Sequence, residues 1–124
     1  MTQTNLEEGG CLCGAIRYTA VGSPKWIANC HCHSCRKQTG AAFATYAGYT
    51  EAQVSFTGAP KVFHSSPDVS RGHCPECGTP IFYKGARWPG EIHLHVGTFD
   101  HPENFKPTKD AFAEEKVAWV KVTT

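Results

Sequence analysis

The sequence predicts a small, mainly β domain with little helix, and three observations support that prediction. The 12 glycines and 8 prolines of this 124-residue chain recur about every 8 to 15 residues, a spacing of turn residues that is typical of short strands. Residues 91–97 alternate between apolar residues and charged or histidine residues, which is the pattern of a half-buried strand. Evidence for helix is confined to one short segment. We therefore expect several short antiparallel sheets.

The predicted elements follow one another as short runs between turn residues. The predicted strands are residues 15–21, 26–30, 43–49, 53–57, 62–65, 80–84 and 91–97. Between the second and third strands, residues 34–40 can form one short helix that Ser34 caps and Gly40 ends. Residues 111–120 are ambiguous between helix and strand.

Length and composition narrow the class of protein. A chain of 124 residues is the size of one domain, which we expect to span 1–124. With 40% hydrophobic and 19% charged residues, a modest core is expected and disorder is not. The net charge of +1 provides no field for nucleic acid or an anionic membrane. Neither a membrane-spanning run nor a signal peptide is recognisable, so we expect a cytoplasmic protein.

The cysteines are the informative anomaly, because all seven fall in tight clusters. They are Cys11, Cys13, Cys30, Cys32, Cys35, Cys74 and Cys77. An odd number in a chain without an export signal argues against a disulfide framework. Sulfurs this close in sequence suit a tetrahedral zinc ion, whose Zn–S bonds of about 2.3 Å leave neighbouring sulfurs about 3.8 Å apart. Thiolates favour zinc over magnesium or calcium, and the spacing leaves iron open.

The first group of ligands is predicted to be a closed, structural site. Cys74 and Cys77 form a zinc knuckle, in which Pro75 stiffens the turn and Gly78 lets backbone N–H groups point at sulfur. The C-x-C pair at 11–13 is its natural complement, and closed four-thiolate sites are structural. In the alternative, the knuckle takes thiols from the other cluster and leaves the C-x-C pair free.

The remaining cysteines, Cys30, Cys32 and Cys35, supply three ligands and leave one position open, as in a catalytic zinc site. Two alternatives remain. Cys32 and Cys35 can form a redox pair at a helix start, or a histidine can close a structural site. His31 and His33 would point away from the cysteine face if the strand continued, which argues against local histidine ligation.

The cysteine motifs, together with two shorter segments, resemble the glutathione-dependent formaldehyde-activating enzyme family, which includes the centromere protein V-type domains. The similar segments within residues 10–119 are GCLCG at 10–14, NCHCHSCRK at 29–37, RGHCPECGT at 71–79, GTFD at 97–100 and KVAW at 116–119. The resemblance implies a β-rich fold of several coiled sheets. It also implies two zinc ions per chain, with the four-cysteine ion structural and the three-cysteine ion catalytic.

The implied activity is that of a carbon–sulfur lyase resembling S-(hydroxymethyl)glutathione synthase, which joins formaldehyde to glutathione or acts on a related thiol adduct. Its partner would be this small-molecule thiol, with no nucleic acid and no membrane. The alternatives are a non-catalytic zinc module that binds proteins, and a thiol redox or metal-handling protein. In one departure from the family, Asp110 stands near the C-terminus where many members carry a histidine before a hydrophobic pair.

Candidate substrate-binding residues follow from the two carboxylates of glutathione. Arg36 and Lys37 follow the three-cysteine cluster and Arg71 precedes the knuckle, so each is a candidate carboxylate donor. Each is equally suited to a surface ion pair.

Histidines and aromatic residues supply further candidates. Those considered as proton shuttles are His31, His33 and His73. Glu91, His93 and His95 share one face of residues 91–97 and could chelate a metal, although such a face is more often solvated. The aromatic residues Trp26, Phe43, Tyr46, Phe56, Phe63, Phe82 and Phe99 are expected in the core.

Overall fold

The computed structural model describes residues 5–122, in which it has ten strands, one α-helix and four 3-10 turns. The strands are β1 Leu6–Gly10, β2 Arg17–Val21, β3 Trp26–Cys30, β4 Ala44–Thr50, β5 Val54–Thr57, β6 Lys61–Ser66, β7 Val69–His73, β8 Pro80–Gly85, β9 Glu91–His95 and β10 Lys109–Ala111. The helix, α1, is His33–Thr39. The 3-10 turns are Glu51–Gln53, Val96–Thr98, Pro102–Asn104 and Ala113–Glu115. No helix in this part of the chain is long and apolar enough to cross a bilayer.

The strands of the described region form two sheets. One is three-stranded and antiparallel in the order β1-β2-β5, and the other is seven-stranded in the order β10-β3-β4-β9-β8-β7-β6. Every pair in the large sheet is antiparallel except β10 with β3, which is parallel. The mainly β class with little helix is confirmed. The short strands, however, merge into one large sheet and one small one.

The core of the described region consists of two hydrophobic clusters, and each contains cysteines. The larger takes buried side chains from both sheets, including Tyr18, Ala20, Ala47, Tyr49, Ile81, Ile92 and Leu94, together with Cys11 and Cys74. The smaller consists of Cys30, Cys35, Ala44 and Tyr46, with aromatic residues packed against it. The two groups of thiols therefore lie in separate parts of the core.

Sequence patterns missed three strands, each for a local reason. β1 ends in two glycines and begins with an exposed leucine and two glutamates, so only its pairing with β2 makes it a strand. β7 contains Gly72 and a buried arginine in place of an alternating apolar face. β10 is three residues long, overlaps the ambiguous segment 111–120 only at Ala111, and exists through its parallel register with β3. Conversely, residues 96–97 were predicted as the end of a strand and instead belong to a 3-10 turn.

Helix α1 begins one residue earlier than predicted. Its N-cap is Cys32, whose Sγ accepts a hydrogen bond from the backbone N–H of Cys35 at 3.3 Å. The assignment of Ser34 as the cap is therefore wrong, because the sulfur of Cys32 accepts the capping hydrogen bond that a serine hydroxyl was expected to accept. Gly40 ends the helix as predicted, with a left-handed φ of 69° that favours glycine.

A substitution at Gly72 tests the packing between β7 and β8. Gly72 lies directly opposite Phe82, and a Cβ at this position would overlap the buried Phe82 ring. We expect Gly72→Ala to lower the free energy of unfolding by about 1–3 kcal/mol, because the buried ring must shift to accept the added methyl group. Gly97→Ala is the matched control because a Cβ there meets no atom within 4 Å. Urea denaturation measures both variants, and equal stability for the two would contradict this packing.

Candidate metal centres and the adjoining cavity

The four-cysteine group is assembled from two distant segments. Cys11 and Cys13 precede β2, and Cys74 and Cys77 lie between β7 and β8. Their four sulfurs all lie within 4.8 Å of one another. The Cys11–Cys13 and Cys13–Cys74 sulfur distances are 3.6 and 3.7 Å, close to the roughly 3.8 Å edge of a tetrahedral zinc–thiolate site. The donor set therefore fits a closed zinc site.

Backbone amides donate hydrogen bonds to the buried sulfurs of this group. The N–H of Ile16 lies 3.2 Å from the Sγ of Cys11. The N–H groups of Glu76 and Cys77 lie 3.3 and 3.4 Å from the Sγ of Cys74. Hydrogen bonds of this kind stabilise thiolate over thiol. The loops are thus shaped to hold charged sulfurs.

Thr79 joins the two halves of the group. Its Oγ1 accepts a hydrogen bond from the N–H of Leu12 at 3.1 Å and lies 3.1 Å from the Sγ of Cys77. Hydrogen bonds from the Thr79 hydroxyl and backbone lower the pKa of Cys77 to about 5. Thr79 is the last residue of the RGHCPECGT motif at 71–79, and sequence reasoning assigned it no role.

The three-cysteine group is built where β3 turns into α1. Cys30 ends the strand, Cys32 caps the helix and Cys35 lies in its first turn. Their sulfurs lie within 4.8 Å of one another, with 3.5 Å between those of Cys30 and Cys35. Cys30 and Cys35 are buried and Cys32 is half-buried. This arrangement offers three ligands from one continuous segment.

Two polar side chains face the sulfur of Cys35. The hydroxyl of Tyr46 donates to it at 3.4 Å, and the two terminal nitrogens of Arg71 lie 3.6 and 3.8 Å away. The thiols of Cys30 and Cys32, followed by Tyr46 and Arg71, lower the pKa of Cys35 to about 2 against the opposing effect of burial. These contacts therefore favour the thiolate form of Cys35.

Of the three predicted substrate-binding cations, Arg71 is the one that the structure brings to the three-cysteine group. Its buried guanidinium also donates from Nε to the Ser65 hydroxyl at 3.0 Å. The Nε of Arg36 instead donates to the backbone carbonyl of His31 at 3.3 Å. Lys37 is exposed on the helix. Neither Arg36 nor Lys37 lines the cavity described next, because the helix turns their side chains away from it.

A cavity of about 230 Å³ opens beside the three-cysteine group, and all three of its cysteines contribute to the wall. Five aromatic rings line it, those of Trp26, Tyr46, Tyr83, Trp88 and Phe112. Tyr46 is buried in the core as expected and also forms part of this wall, and the partly buried Trp26 packs against the same cluster. Phe63, also expected in the core, is largely exposed on the edge strand β6. Sequence reasoning singled out neither Trp88 nor Phe112 for the site, since strand pairing alone brings them here.

The histidines of β9 are buried, which corrects the expectation that their face is solvated. β9 is a central strand covered on both faces, with Glu91 partly buried at its start. The Nε2 of His93 lies 2.9 Å from a Glu91 carboxylate oxygen, and burial lowers the pKa of His93. The ring of His95 lies 4.6 Å from that of Tyr46, and burial lowers its pKa to about 4. Within residues 5–122, the two cysteine groups are the ones whose ligand atoms converge.

None of the three histidines considered as proton shuttles lines the cavity. His31 is fully buried, and its Nε2 lies 2.7 Å from a carboxylate oxygen of Asp110 on β10. His33 is exposed at the start of α1, where its backbone N–H donates to Glu115 at 3.0 Å. Asp110, the departure from the family pattern noted in the sequence, therefore pairs with the buried His31, which lies between Cys30 and Cys32 in the chain.

The low pKa of His95 predicts a pH dependence of stability. An unfolded histidine binds a proton near pH 6.5, whereas folded His95 does so near pH 4. The unfolded state therefore holds more protons between these values, and stability falls as the pH is lowered from 6.5 towards 4. Between pH 7 and pH 5, we expect the free energy of unfolding of His95→Gln to fall by about 2 kcal/mol less than that of the wild type.

Urea denaturation at the two pH values, in a buffer with excess zinc, measures this difference. His101→Gln is the control, since its side chain is exposed. If the free energy of unfolding of His95→Gln falls with pH as steeply as that of the wild type, the assignment is refuted.

Comparison with known proteins places these features in a family. The model of a family described as "Glutathione-dependent formaldehyde-activating enzyme" matches residues 6–115. An uncharacterized lyase of Schizosaccharomyces pombe is 27% identical over 97 residues, covering 78% of this chain and 71% of that protein. A Halomonas elongata protein named after the same enzyme is 26% identical over 133 aligned positions, covering 94% of this chain and 81% of that protein.

The fold also has a solved counterpart. The crystal structure of a Rhodobacter sphaeroides protein superposes with a TM-score of 0.61 at 19% identity, covering 75% of this chain and 87% of that one. The resemblance seen in the cysteine motifs is thus confirmed over most of the chain. The chain belongs to the glutathione-dependent formaldehyde-activating enzyme family.

Proposed function

We propose that this chain is a zinc-dependent carbon–sulfur lyase that joins formaldehyde to the thiol of glutathione or acts on a related thiol adduct. The observation that carries the proposal is the unequal setting of the two cysteine groups. Cys30, Cys32 and Cys35 all line the aromatic cavity, whereas no member of the four-cysteine group does. Membership of a family named for this chemistry supports the same reaction.

In this proposal the chain, a single zinc-binding domain, holds two zinc ions with different tasks. Cys11, Cys13, Cys74 and Cys77 bind a structural ion that joins the N-terminal loop to the turn before β8. Cys30, Cys32 and Cys35 bind the catalytic ion. With three protein ligands, zinc keeps one coordination position open for the substrate. At that position the ion lowers the pKa of a bound thiol or polarises a carbonyl group.

Arg71 and Tyr46 adjust the charge of the catalytic group. Three thiolates and one divalent cation sum to a net charge of −1, which would repel an incoming thiolate. The Arg71 guanidinium beside Cys35 offsets that charge, and the Tyr46 hydroxyl withdraws electron density from the same sulfur. Burial is the main cause that raises the pKa of Tyr46 well above its ordinary value, so its hydroxyl stays protonated and continues to donate.

The reaction itself balances without an added acid or base. The thiolate sulfur of the substrate attacks the formaldehyde carbon and forms the C–S bond, while the electrons of the C=O π bond move to oxygen. The proton that the substrate thiol loses on binding equals the one that the new alkoxide oxygen gains. The aromatic walls of the cavity limit water around the reacting atoms. The reverse direction breaks the same C–S bond.

Single cysteine substitutions test the division between the two groups. We expect Cys32→Ser to reduce bound zinc from two ions to one per chain while the β-rich circular dichroism spectrum is kept. Cys74→Ser should also lose one ion but lower the free energy of unfolding by at least about 3 kcal/mol, because binding at a closed site contributes directly to folding. Elemental analysis and urea denaturation measure these effects. Equal destabilisation by the two changes would contradict the assignment.

Catalysis is tested by NMR measurement of the exchange between free formaldehyde and its glutathione adduct. Zinc-loaded wild-type protein should accelerate the exchange, and Cys32→Ser should leave it at the uncatalysed rate. Arg71→Met should slow it about 10- to 100-fold, the equivalent of one charge-assisted hydrogen bond. Lys37→Met, an exposed cation outside the cavity, should have no effect. Wild-type exchange no faster than that of Cys32→Ser would rule out this reaction.

A further inference from the structure

We propose that Arg87 is the residue that binds a carboxylate of the substrate at the mouth of the cavity. This inference rests on the proposed function only in taking a thiol as the substrate. Arg87 was not among the cations that sequence reasoning selected, and it follows β8 in the turn that leads to β9.

The two arginines of the cavity differ in whether they are already engaged. The buried guanidinium of Arg71 serves Cys35, Tyr46 and Ser65. Arg87 is exposed, and within residues 5–122 no carboxylate forms an ion pair with it. Its planar donor fork suits a carboxylate bound through two parallel hydrogen bonds. Of the two cations, Arg87 is therefore the one with donors available to a ligand.

Aromatic rings hold the Arg87 guanidinium beside the cavity. Its Cζ lies 5.2 Å from the ring centroid of Trp88 and 5.5 Å from that of Phe112, distances at which cation–π attraction operates. Both rings also line the cavity. A side chain already held in place loses less conformational entropy when a ligand binds. The contacts thus prepare Arg87 for binding at little further cost.

The backbone at Phe112 is strained to place its ring there. Phe112 has a φ of 54°, and it is the one non-glycine residue with positive φ among residues 5–122. Such a conformation costs about 1–3 kcal/mol and persists only where neighbours enforce it. The preceding residue, Ala111, accepts a hydrogen bond from the N–H of His31 at 3.0 Å, and Asp110 pairs with the His31 ring. The strand that carries Phe112 is therefore anchored behind the cysteines.

The lining of the cavity defines the class of ligand. It contains two guanidiniums, five aromatic rings, His93, three serines and no carboxylate, so it favours an anionic ligand. Its volume of about 230 Å³ is below the roughly 300–1,000 Å³ of pockets that enclose drug-sized ligands. The enclosed part of the substrate is consequently small. A small thiol that ends in a carboxylate meets both conditions.

The test compares two thiols of nearly identical shape, 3-mercaptopropionate and its uncharged amide, by calorimetric titration of the zinc-loaded protein. Wild-type protein should bind the carboxylate about 5- to 10-fold more tightly than the amide, the range of one charge-assisted contact near solvent. Arg87→Met should abolish this preference without changing the affinity for the amide. Arg87→Lys should keep part of it, because lysine supplies the charge without the fork. Lys37→Met is the matched control and should keep all of it.

The outcomes separate this inference from the proposed function. An unchanged preference in Arg87→Met, or an equal loss in Lys37→Met, overturns the inference. A preference that depends on Arg87 in a protein that does not accelerate formaldehyde exchange overturns the lyase proposal and supports the carboxylate site. Accelerated exchange without any preference overturns the carboxylate site alone. If neither thiol binds, the carboxylate site is overturned, and the lyase proposal stands or falls with the formaldehyde–glutathione exchange alone.

Discussion

The buried contact between the Cys35 thiolate and the Arg71 guanidinium ties the candidate site to the fold. Three elements meet there, since Cys35 lies on α1, Tyr46 on β4 and Arg71 on β7. A buried charge is tolerated only with a partner, so the thiolate and the guanidinium each make the burial of the other possible. Removing either leaves the other uncompensated. The same contact is therefore both a packing constraint and an electrostatic feature of the cavity.

The two groups of thiols divide the work of a small protein. A chain of 124 residues buries a limited core, and small domains commonly add a metal or another cross-link. The four-cysteine group connects segments about 60 residues apart and contributes Cys11 and Cys74 to the larger hydrophobic cluster. The three-cysteine group lies within one segment, joins the smaller cluster and opens on a cavity. Position relative to the core thus separates a group suited to stabilising the fold from one suited to chemistry.

Sequence reasoning succeeded where structure is local. It predicted the bounds of β3 as found and the end of α1 at Gly40, because strand patterns and a left-handed glycine are encoded in neighbouring residues. It missed β1, β7 and β10, which depend on pairing with other strands. It also expected a solvated face for His93 and His95, since alternation in a single strand cannot reveal that both faces of the sheet are covered. Arg36 and Lys37 adjoin the cysteines in sequence, yet the helix turns them away from the cavity.

The amino-acid sequence alone determined how the sulfurs are grouped, because cysteines two or three residues apart bring their Sγ atoms close in almost any turn or strand end. The tertiary structure decided which side chains surround those sulfurs. Tyr46, Arg71, Arg87 and Phe112 reach one cavity from β4, β7, the β8–β9 turn and the segment after β10. Contacts between such distant positions arise from strand order and register. These produce no characteristic residue spacing that could be recognised in the sequence.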